Sequence, residues 1–407
     1  MILNKYLYNY FLVLFSLIPL SIIIGSAFSL FNIILIDLSF IVLLIYIGDY
    51  SFLKKKTVLY FFILYAYLIF NSLISLDFYS GVYRNFGFLR IIIFFIAFNY
   101  FFNQSFFFKK MIKSWLIVFL IVLIDVIIEF LFGRNLLGYG KVYGERIVSF
   151  FKDEPIVGGY LNGFYLLIIG FLLKEYRNKK NYLIILFSIL FLSVIILTGE
   201  RSNSLRAFFG FIVFFMFYDE FKIKKKLFLL SSTIILIFLI LINSTYLKIR
   251  FHGQIKTAFN QESTYLKLFD SGFEVFKNHK IFGVGNKNYR IETCGLTNKN
   301  NNKKKKKYYC STHPHQVYIE FLSEHGLVGS IIFFLILYKL IFSKIRDTIT
   351  DKNINYLKLG SLVYMLLVFT PVIPGGAFFN DYMLTIFSIN LSIFYASDKK
   401  MNIFTKN

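Results

Sequence analysis

Long runs of the chain carry no charged residue. Each run is close to, or longer than, the roughly 20 apolar residues with which an α-helix crosses a bilayer. A bilayer offers the backbone no hydrogen-bond partners, so runs of this length predict membrane helices. The stretches without Asp, Glu, Lys or Arg cover residues 6–36, 57–76, 91–108, 156–173, 181–199, 227–247 and 359–380.

Division of the apolar segments into spans of roughly 17 to 25 residues predicts about twelve transmembrane helices. The first segment resembles a signal peptide, but eleven more hydrophobic segments follow it and Gly25-Ser26-Ala27 is a weak cleavage pattern, so it is predicted to stay as a helix. The expected fold is an all-α polytopic membrane protein with a large periplasmic loop between helices 9 and 10. The predicted spans lie near residues 6–25, 30–48, 57–76, 86–103, 112–132, 155–173, 181–198, 202–218, 227–244, 317–342, 356–373 and 377–396.

The distribution of Lys and Arg predicts the orientation, because basic residues favour cytoplasmic loops. With the amino terminus inside, the basic clusters at 54–56, 109–113 and 222–226 all fall on the cytoplasmic side. Both termini are then cytoplasmic. Two outer segments are long, about 133–155 and about 245–316, and the second exceeds an ordinary connection, so we expect it to carry structure or function of its own.

Composition and charge narrow the class of protein. With 57% hydrophobic, 21% aromatic and 16% charged residues, the chain is not a water-soluble enzyme. The formal net charge of +23 could indicate nucleic-acid binding. In a polytopic membrane protein, however, basic residues usually lie in cytoplasmic loops, so we expect no nucleic-acid partner.

The two cysteines of the chain, Cys294 and Cys310, both fall in the long outer segment. A disulfide that closes roughly 15 residues would contribute about 3 kcal/mol, and it persists in an oxidising compartment such as the periplasm. Two free thiols are the alternative. Residues 298–307 between them form a low-complexity Asn/Lys segment, which we expect to be a solvated tip without a catalytic role.

Arginine is rare beside lysine and is unevenly placed, since eight of the ten arginines lie on the predicted outer face. A guanidinium group binds phosphate or carboxylate through two parallel hydrogen bonds, which a lysine does not reproduce. The bias therefore suggests an anionic ligand. The alternative is local pairing with Asp77, Glu145, Asp153, Glu154 or Glu200. The eight are Arg84, Arg90, Arg134, Arg146, Arg201, Arg206, Arg250 and Arg290.

All five histidines occur between residues 252 and 325. Neutral imidazole is a ready general base near pH 7 and typically contributes about 10²- to 10⁴-fold to a rate. A zinc set of His313, His315, Cys294 and Cys310 competes, but the spacing lacks a zinc-finger pattern and an oxidising compartment favours the disulfide. The histidines could also be ordinary loop groups. They are His252, His279, His313, His315 and His325.

Three motifs lie on the predicted outer face. The segment 198–203, Thr-Gly-Glu-Arg-Ser-Asn, is a tight turn in which Ser202 or Asn203 can cap the next helix. The segment 282–286, Phe-Gly-Val-Gly-Asn, is a turn that lets the backbone approach a ligand. The segment 313–326 leads into the tenth span and places Glu320 and Glu324 one helical turn apart.

Acidic residues also occur inside predicted spans. Asp125 and Glu129 share one face of the fifth helix, and ionisable groups within the membrane are functional candidates, usually paired with a partner. Glu129 lies near the outer end of its helix, where it could pair with an arginine. A structural pairing competes with a direct role, and the same holds for Asp37 in the second span.

These motifs resemble the O-antigen ligase and O-antigen polymerase superfamily of bacterial envelopes. The resemblance rests on Thr-Gly-Glu-Arg-Ser at 198–202, Gly-Val-Gly at 283–285 and the His-Gln-Val-Tyr-Ile-Glu string that starts at 315. The segment 146–159 also looks like the loop that precedes the sixth helix in that family. The resemblance covers roughly residues 140–330, and the other helices agree only in hydropathy.

The resemblance implies a metal-independent glycosyltransferase of the GT-C type in lipopolysaccharide biosynthesis, which needs no cofactor. It would take a glycan from undecaprenyl diphosphate at the periplasmic face of the inner membrane and transfer it to an acceptor glycan or to lipid A core. His315 would be the catalytic base, with His313 as the alternative, and Gln316 stands where the family commonly has Asn. Arg201, Arg146 and Arg250 would bind the diphosphate, with Glu200, Glu324 and Glu129 as candidate supporting residues.

The resemblance also suggests how the chain is organised: helices 1–5 over 1–132, an O-antigen ligase-like catalytic region over 133–342 that includes the loop 245–316, and helices 11–12 with a cytoplasmic tail over 343–407. Ligase and polymerase stay open, because both use the same donor and chemistry. A transporter or flippase of lipid-linked oligosaccharide is the alternative class. It would be expected to show repeated halves and charges near the membrane midplane, whereas no clear repeat is present and the marked groups crowd at one face.

Overall fold

The computed structural model describes residues 5–102, 105–140, 146–152, 154–176, 181–253, 263–295, 308–351 and 353–405. Over these ranges the protein is helical and contains no strand. Glu145, Asp153, Arg177 and the Asn/Lys segment 298–307 lie outside the described residues.

The helices follow the apolar runs of the sequence, because a helix satisfies its own backbone hydrogen bonds where the surroundings offer none. The first eight are α1 (Lys5–Ser16), α2 (Ile18–Ile24), α3 (Ser26–Ile47), α4 (Lys56–Leu73), α5 (Phe78–Gly87), α6 (Leu89–Phe102), α7 (Ser105–Phe132) and α8 (Val157–Glu175). The rest are α9 (Asn181–Leu197), α10 (Arg201–Met216), α11 (Ile223–Asn243), α12 (Thr245–Leu247), α13 (Thr264–Asn278), α14 (Tyr289–Thr293), α15 (Val317–Leu340), α16 (Ile345–Ile349), α17 (Tyr356–Val368) and α18 (Asp381–Ala396).

Seven helices in the described ranges are long and apolar enough to cross a membrane, or eight if the bent pair α1–α2 is one span. The sequence predicted about twelve. A helix overlaps every predicted segment, but α9, α10, α17 and α18 have only 13 to 17 residues. Residues 369–373 and 377–380, which hydropathy assigned to spans, lie outside α17 and α18, in turns and irregular backbone at one end of the bundle. The chain is a multi-pass helical membrane protein.

The centre of the bundle is α8, which is buried over almost its whole length and packs against α7, α9, α10, α17 and α18. Small residues let two of these helices approach closely. A Cβ added at Gly170 of α8 would lie 2.7 Å from the carbonyl carbon of Tyr356, and one at Gly360 of α17 would lie 2.7 Å from that of Leu166. Helix α11 is the opposite case, since it buries only Leu229 and Thr233.

The Gly283-Val284-Gly285 turn attaches the long segment 245–316 to helix α15. Gly326 interrupts α15 with a non-helical conformation (φ 62°, ψ −165°), which leaves backbone groups free of the helical pattern. The turn takes up these groups: Val284 N donates to Ser323 O at 3.0 Å, Gly285 N donates to Glu324 O at 2.9 Å, and Leu327 N donates to Lys280 O at 2.8 Å. The turn thus approaches a helix backbone, where the sequence suggested a ligand.

Asn71 of α4 fastens the same junction from the other side. Its amide nitrogen donates to the carbonyl oxygens of Glu324 and Phe282 at 3.4 and 3.5 Å, and its amide oxygen accepts from Asn286 N at 2.8 Å. Residues 282–286 of the segment are thereby fixed to α4 and α15.

Candidate functional site

The site is a cavity of about 310 Å³ whose walls include Arg146, residues 155–156, 200–203 and 374–376, Arg250 and Tyr265, together with His315 just before α15. Its polar lining comes from four arginines, one carboxylate, one histidine and several amide and hydroxyl groups. Several of these stand on turns rather than in helices, which is why the helices around the cavity are short. The charged and ring-bearing groups are Arg146, Arg201, Arg206, Arg250, Glu200, His315, Tyr265, Tyr364 and Tyr382.

Glu200 joins two helices at the floor of the cavity. It occupies the N-cap position of α10 without capping that helix. Its carboxylate accepts instead from Gly158 N at 2.5 Å, Gly159 N at 3.2 Å and Asn203 Nδ2 at 2.8 Å. Asn203, which the sequence offered as a helix cap, therefore serves the carboxylate. Glu200 ties the turn 198–200 to the amino-terminal end of α8, where free N–H groups favour an anion.

Burial raises the pKa of Glu200 to about 7, although its three hydrogen bonds and the guanidinium of Arg146 act in the opposite direction. Burial disfavours the charged form of a carboxyl group, and here that effect prevails. Glu200 is the one carboxyl group in the described lining of the cavity, and it therefore changes charge near neutral pH.

Arg146, Arg201 and Arg250, the three arginines predicted to bind an anion, all line the cavity. Arg250 is 8% exposed and donates through Nη2 to the carbonyl of Gly199 at 3.3 Å, while its Nε is buried without a hydrogen-bond partner. Burial lowers the pKa of Arg250, and the positive charges of Arg146 and Arg201 lower it further. Three mutually repelling guanidinium groups around one space favour an anionic ligand.

Arg206 is a fourth cavity arginine, and the sequence placed it on the outer face without giving it a role. It is 7% exposed, and it donates through Nε to Leu367 O at 3.2 Å and through Nη2 to Ile373 O at 3.1 Å. It thereby holds the turn after α17 that forms one wall of the cavity. The signal available in the sequence was its position, one helical turn after Ser202, on the same face of α10.

His315 lines the cavity in a backbone conformation that non-glycine residues rarely adopt (φ 57°). Its carbonyl accepts from Gly375 N at 2.8 Å, which couples it to the turn held by Arg206. Gln316 then begins α15, since its side-chain oxygen accepts from Ile319 N at 2.8 Å. Backbone strain of this kind persists where surrounding contacts determine the conformation, and it often marks a functional position.

The ring of His313 contacts that of His315, with 3.9 Å between the ring centroids and 40° between the ring planes. Its Nδ1 lies 2.9 Å from the hydroxyl of Thr312, its Nε2 is buried without a partner, and it is not part of the cavity lining. Burial lowers the pKa of both imidazoles, that of His313 to about 3, with His315 and Lys287 adding to the effect on His313. Both rings are neutral at pH 7, as a proton acceptor must be.

The other three histidines lie elsewhere. His325 is buried in α15 against Tyr67, Phe321 and Phe379, His279 lies 3.4 Å from the carboxylate of Glu292, and His252 is exposed. Of the five histidines that are close in the sequence, His315 lines the cavity, His313 contacts its ring, and the other three lie at unrelated positions.

Glu129 and Asp125 hold the segment that carries Arg146. The Glu129 carboxylate accepts from Val148 N at 3.0 Å and from Ser149 N at 2.7 Å, and the Asp125 carboxylate accepts from Ser149 Oγ at 2.6 Å. The sequence offered an arginine as the partner of Glu129, but its partners in the structure are backbone N–H groups. Asn135 adds a further bond to this anchor by donating through Nδ2 to Ser149 O at 2.6 Å.

Glu320 and Glu324 lie one turn apart on α15, both buried, and neither lines the cavity. Both carboxylate oxygens of Glu320 accept from Phe378 N at 3.0 Å, which fixes the turn before α18. Glu324 lies at the interruption of α15, where its carbonyl accepts from Gly285 N. The structure thus places Glu324 beside the junction of α15 with the Gly-Val-Gly turn, outside the cavity.

Cys294 and Cys310 form a disulfide with 4.7 Å between the Cα atoms. Both thiol groups of the alternative zinc set are therefore engaged. Within the ranges that the structure describes, no group of three or more His, Cys, Asp or Glu side chains is arranged to hold a metal ion.

A second, apolar cavity of about 540 Å³ opens beside the first. It runs between α10, α11 and α13, and it shares Arg201, Ser202, Tyr265 and Pro374 with the polar cavity. Its other walls are aliphatic and aromatic side chains such as Leu205, Phe238 and Phe269. A long apolar groove thus leads to a cluster of positive charges.

Residues 186–334 match the O-antigen ligase family. This range contains the 198–203 turn, Arg250 and His315, while Arg146, Tyr364 and Tyr382 lie outside it. A comparison with curated proteins finds no match. The match agrees with a multi-pass membrane protein that transfers glycosyl groups in O-antigen processing. The match to the O-antigen ligase family over residues 186–334 supports the O-antigen ligase and O-antigen polymerase superfamily for this chain.

Proposed function

We propose that the protein transfers an O-antigen-type glycan from undecaprenyl diphosphate to an acceptor hydroxyl at the periplasmic face of the inner membrane, without a metal ion or cofactor. The observation that carries the proposal is the junction of the two cavities: three guanidinium groups and a neutral imidazole surround a space that continues into an apolar groove. A lipid diphosphate has the same division into an anionic head and an apolar chain.

The groove supports the lipid part of the donor. Its walls include Leu205 and Phe208 of α10, Phe238 of α11 and Phe269 of α13. Burial of apolar area stabilises a bound hydrocarbon by roughly 25 cal/mol per Å². Because α11 has its other faces exposed, a chain lying in the bilayer can reach the groove from the side. A carrier that stays in the membrane needs such lateral access.

The arginines support the diphosphate. Arg201 belongs to both cavities, so a diphosphate bound there has its lipid chain in the groove and its glycan in the polar cavity. Arg250 and Arg146 add positive charge from the other walls. Guanidinium groups fixed around a leaving group stabilise the charge that it gains in the transition state, and this is the role that a metal ion has in other transferases.

The proposed reaction is one displacement. The acceptor hydroxyl oxygen forms a bond to the anomeric carbon of the donor glycan, and the bond from that carbon to the diphosphate oxygen breaks. The hydroxyl proton passes to the neutral imidazole of His315, and the bonding electrons leave with undecaprenyl diphosphate. His313 is a positioning residue in this scheme, because its ring contacts that of His315 from outside the cavity lining. Glu200 holds the turn that carries Arg201 and sets the charge beside it.

The sequence-based topology completes the proposal: a multi-pass protein of the inner membrane, with both termini cytoplasmic and the cavity periplasmic. Residues 133–342 form the catalytic region, to which Tyr364 and Tyr382 of the carboxy-terminal helices add walls. The basic contacts at the other end of the bundle support this orientation. There Lys358 pairs with Asp398 at 2.6 Å and Lys109 pairs with Glu175.

The test is transfer by the purified protein in nanodiscs, supplied with an undecaprenyl diphosphate-linked repeat unit, with and without lipid A core, in the presence of EDTA. A ladder from the donor alone identifies a polymerase, and a single shift of lipid A core identifies a ligase. Arg201→Lys keeps the positive charge but cannot form the paired hydrogen bonds of a guanidinium group, so we expect this variant to lose most activity. Arg290→Lys, an exposed arginine outside both cavities, is the control.

Two results would contradict the proposal. Transfer that disappears with EDTA and returns with a divalent cation would contradict a metal-independent reaction. No transfer by a folded protein that binds the donor would favour the transporter, the alternative class, which would be tested by movement of the lipid-linked glycan across the bilayer.

A further inference from the structure

A third cavity, of about 170 Å³, lies against the polar cavity on another side. It is formed where α2 meets α3, beside residues 151–152 and 154–156 and the first residues of α18. Its volume is well above the roughly 10–15 Å³ that one water needs, and it is a fraction of the apolar groove, so it suits one or two sugar rings. We name it the side chamber, with Phe151, Lys152, Glu154, Ile156, Asp381 and Tyr382 among its walls.

The side chamber and the polar cavity share Ile156 and Tyr382, whereas the side chamber and the apolar groove share no residue. The two lateral cavities therefore open from different walls of the polar cavity. A displacement needs this arrangement, because the nucleophile approaches the anomeric carbon from a direction that the leaving diphosphate does not occupy. If the lipid diphosphate of the donor lies on the side of the groove, the side chamber is free to bind the acceptor.

The chemistry of the chamber matches a carbohydrate. Glu154 offers a carboxylate that accepts hydrogen bonds from hydroxyl groups, and Lys152 offers an ammonium that donates them. Both side chains are exposed, and neither forms a hydrogen bond or ion pair with another described residue. The aromatic rings of Phe151 and Tyr382 supply flat apolar surface for the C–H face of a sugar ring. A few oriented polar groups beside aromatic walls are typical of a small-molecule site.

The walls of the chamber are fixed before any ligand arrives. Lys152 has φ 56° and Ser149 has φ 49°, a conformation that non-glycine residues hold only where contacts enforce it. The buried carboxylates of Asp125 and Glu129 enforce it through Ser149. On the other side, the Tyr382 hydroxyl donates to Ile156 O at 3.1 Å, and Arg84 and Arg90 both pair with Asp381.

We infer that the side chamber binds the sugar residues of the acceptor next to the attacking hydroxyl, with Glu154 and Lys152 as specificity-determining contacts. This inference rests on the proposed transferase function and adds the place of its second substrate. Phe151 and Tyr382 form the stacking walls, and Ile156 and Tyr382 line both the side chamber and the polar cavity that contains His315.

The test uses one engineered thiol, since both native cysteines are held in the disulfide. Glu154→Cys places a reactive thiol in the chamber, and Glu274→Cys places one on an exposed part of α13. Each variant is labelled with a membrane-impermeant maleimide in the presence of deacylated lipid A core oligosaccharide or of the deacylated repeat-unit oligosaccharide. We expect one of the two oligosaccharides to slow labelling at position 154 at least about threefold and to leave position 274 unchanged.

A kinetic measurement is the second arm. Glu154→Gln and Lys152→Gln should each raise KM for the acceptor by about tenfold and leave KM for the undecaprenyl diphosphate donor unchanged, which a general loss of structure would not do. Equal labelling rates at position 154 with and without either oligosaccharide, together with unchanged acceptor KM, would overturn the inference. Binding of undecaprenyl diphosphate by the unmodified protein is measured separately, and its absence would count against the proposed function itself.

Discussion

Three properties of His315 bear on its role. It is a strained residue, its imidazole is neutral at pH 7 because burial lowers its pKa, and its ring lines a cavity with four arginines. A neutral ring next to positive charge stays unprotonated until it receives a proton from a substrate. These properties favour His315 over His313 as the proposed base. The sequence alone left this choice open.

Replacement of His315 tests this assignment. His315→Ala should lower the transfer rate by about 10²- to 10⁴-fold, the usual contribution of a general base, while the protein stays folded in the membrane. His313→Ala should have a smaller effect, because the ring is a support outside the cavity lining. The measurement is the initial rate of transfer in nanodiscs, with the elution profile in detergent as the folding control.

His279→Ala is the matched histidine control, since His279 pairs with Glu292 and lines neither cavity. A variant His315→Ala that transfers glycan at the normal rate would remove His315 from the mechanism. A loss with His313→Ala alone would exchange the two roles.

Glu200 gives a pH dependence whose sign follows from its raised pKa. Burial raises the pKa from the ordinary value of 4.5 to about 7, so the folded protein holds this proton more tightly than the unfolded chain does. The stabilisation is fully present below about pH 4.5 and is lost as the pH rises through about 7. Glu200→Gln keeps the shape of the side chain and removes the titration.

The wild-type melting temperature should therefore fall relative to that of Glu200→Gln between pH 5 and pH 8, as measured by thermal unfolding in detergent. Glu274→Gln, at an exposed position of α13, should follow the wild type. Parallel curves for wild type and Glu200→Gln across this range would show that Glu200 does not titrate there.

At the scale of elements, the residues that line the site come from short apolar helices and from the turns that connect them. Helix α15 is interrupted at Gly326, and the Gly-Val-Gly turn completes the hydrogen bonds that the interruption leaves. Helix α17 ends at Val368, and Arg206 of α10 holds the turn that follows. In both places a break in a helix is stabilised by another element, which is how irregular backbone persists within a membrane protein.

Gly283 tests the junction of the turn with α15. A Cβ at Gly283 would lie 2.5 Å from the backbone nitrogen of His325, and φ is +70°, so Gly283→Ala combines a clash with backbone strain. Gly295 has nearly the same φ, +68°, with nothing within 4 Å of an added Cβ. Gly295→Ala should show only the cost of the left-handed conformation, about 1–2 kcal/mol.

Gly283→Ala should lower the unfolding temperature more than Gly295→Ala does and should also lower the transfer rate, because the junction fixes the segment before His315. Thermal unfolding in detergent and the transfer assay check the two effects. Equal unfolding temperatures for both variants would show that the close approach at Gly283 is not a determinant of stability.

At the scale of the whole molecule, three cavities of different chemistry meet at one end of the bundle. The apolar groove, the polar cavity and the side chamber are joined through Arg201 on one side and Tyr382 on the other. Helices from both halves of the chain form them, from α2 to α18. Substrate access is thus a property of the assembled bundle.

The groove gives a prediction at this scale. Leu205→Trp fills the groove from an exposed position of α10, so KM for the undecaprenyl diphosphate donor should rise about tenfold, equivalent to roughly 1.4 kcal/mol of binding. A donor on a short, soluble prenyl diphosphate should be much less affected. Ile235→Trp, exposed on α11 outside the groove, is the control. An unchanged KM for the long-chain donor would place the lipid elsewhere.

The sequence determined what local physics controls. Apolar runs predicted membrane helices because the backbone has no other way to form hydrogen bonds in lipid, and the placement of eight of the ten arginines on the predicted outer face suggested an anionic ligand. The motifs that contain Thr198, Glu200 and His315 also indicated the family that the match over residues 186–334 supports.

Only the tertiary structure decided which of these groups meet. Residues 369–373 and 377–380, which hydropathy assigned to spans, lie outside the helices α17 and α18, and the carboxylate of Glu129 accepts from the backbone N–H groups of Val148 and Ser149. Arg206 and Tyr382 joined the site through contacts between helices far apart in the chain. Periodicity carries no information on such contacts, because they depend on packing that no short segment determines alone.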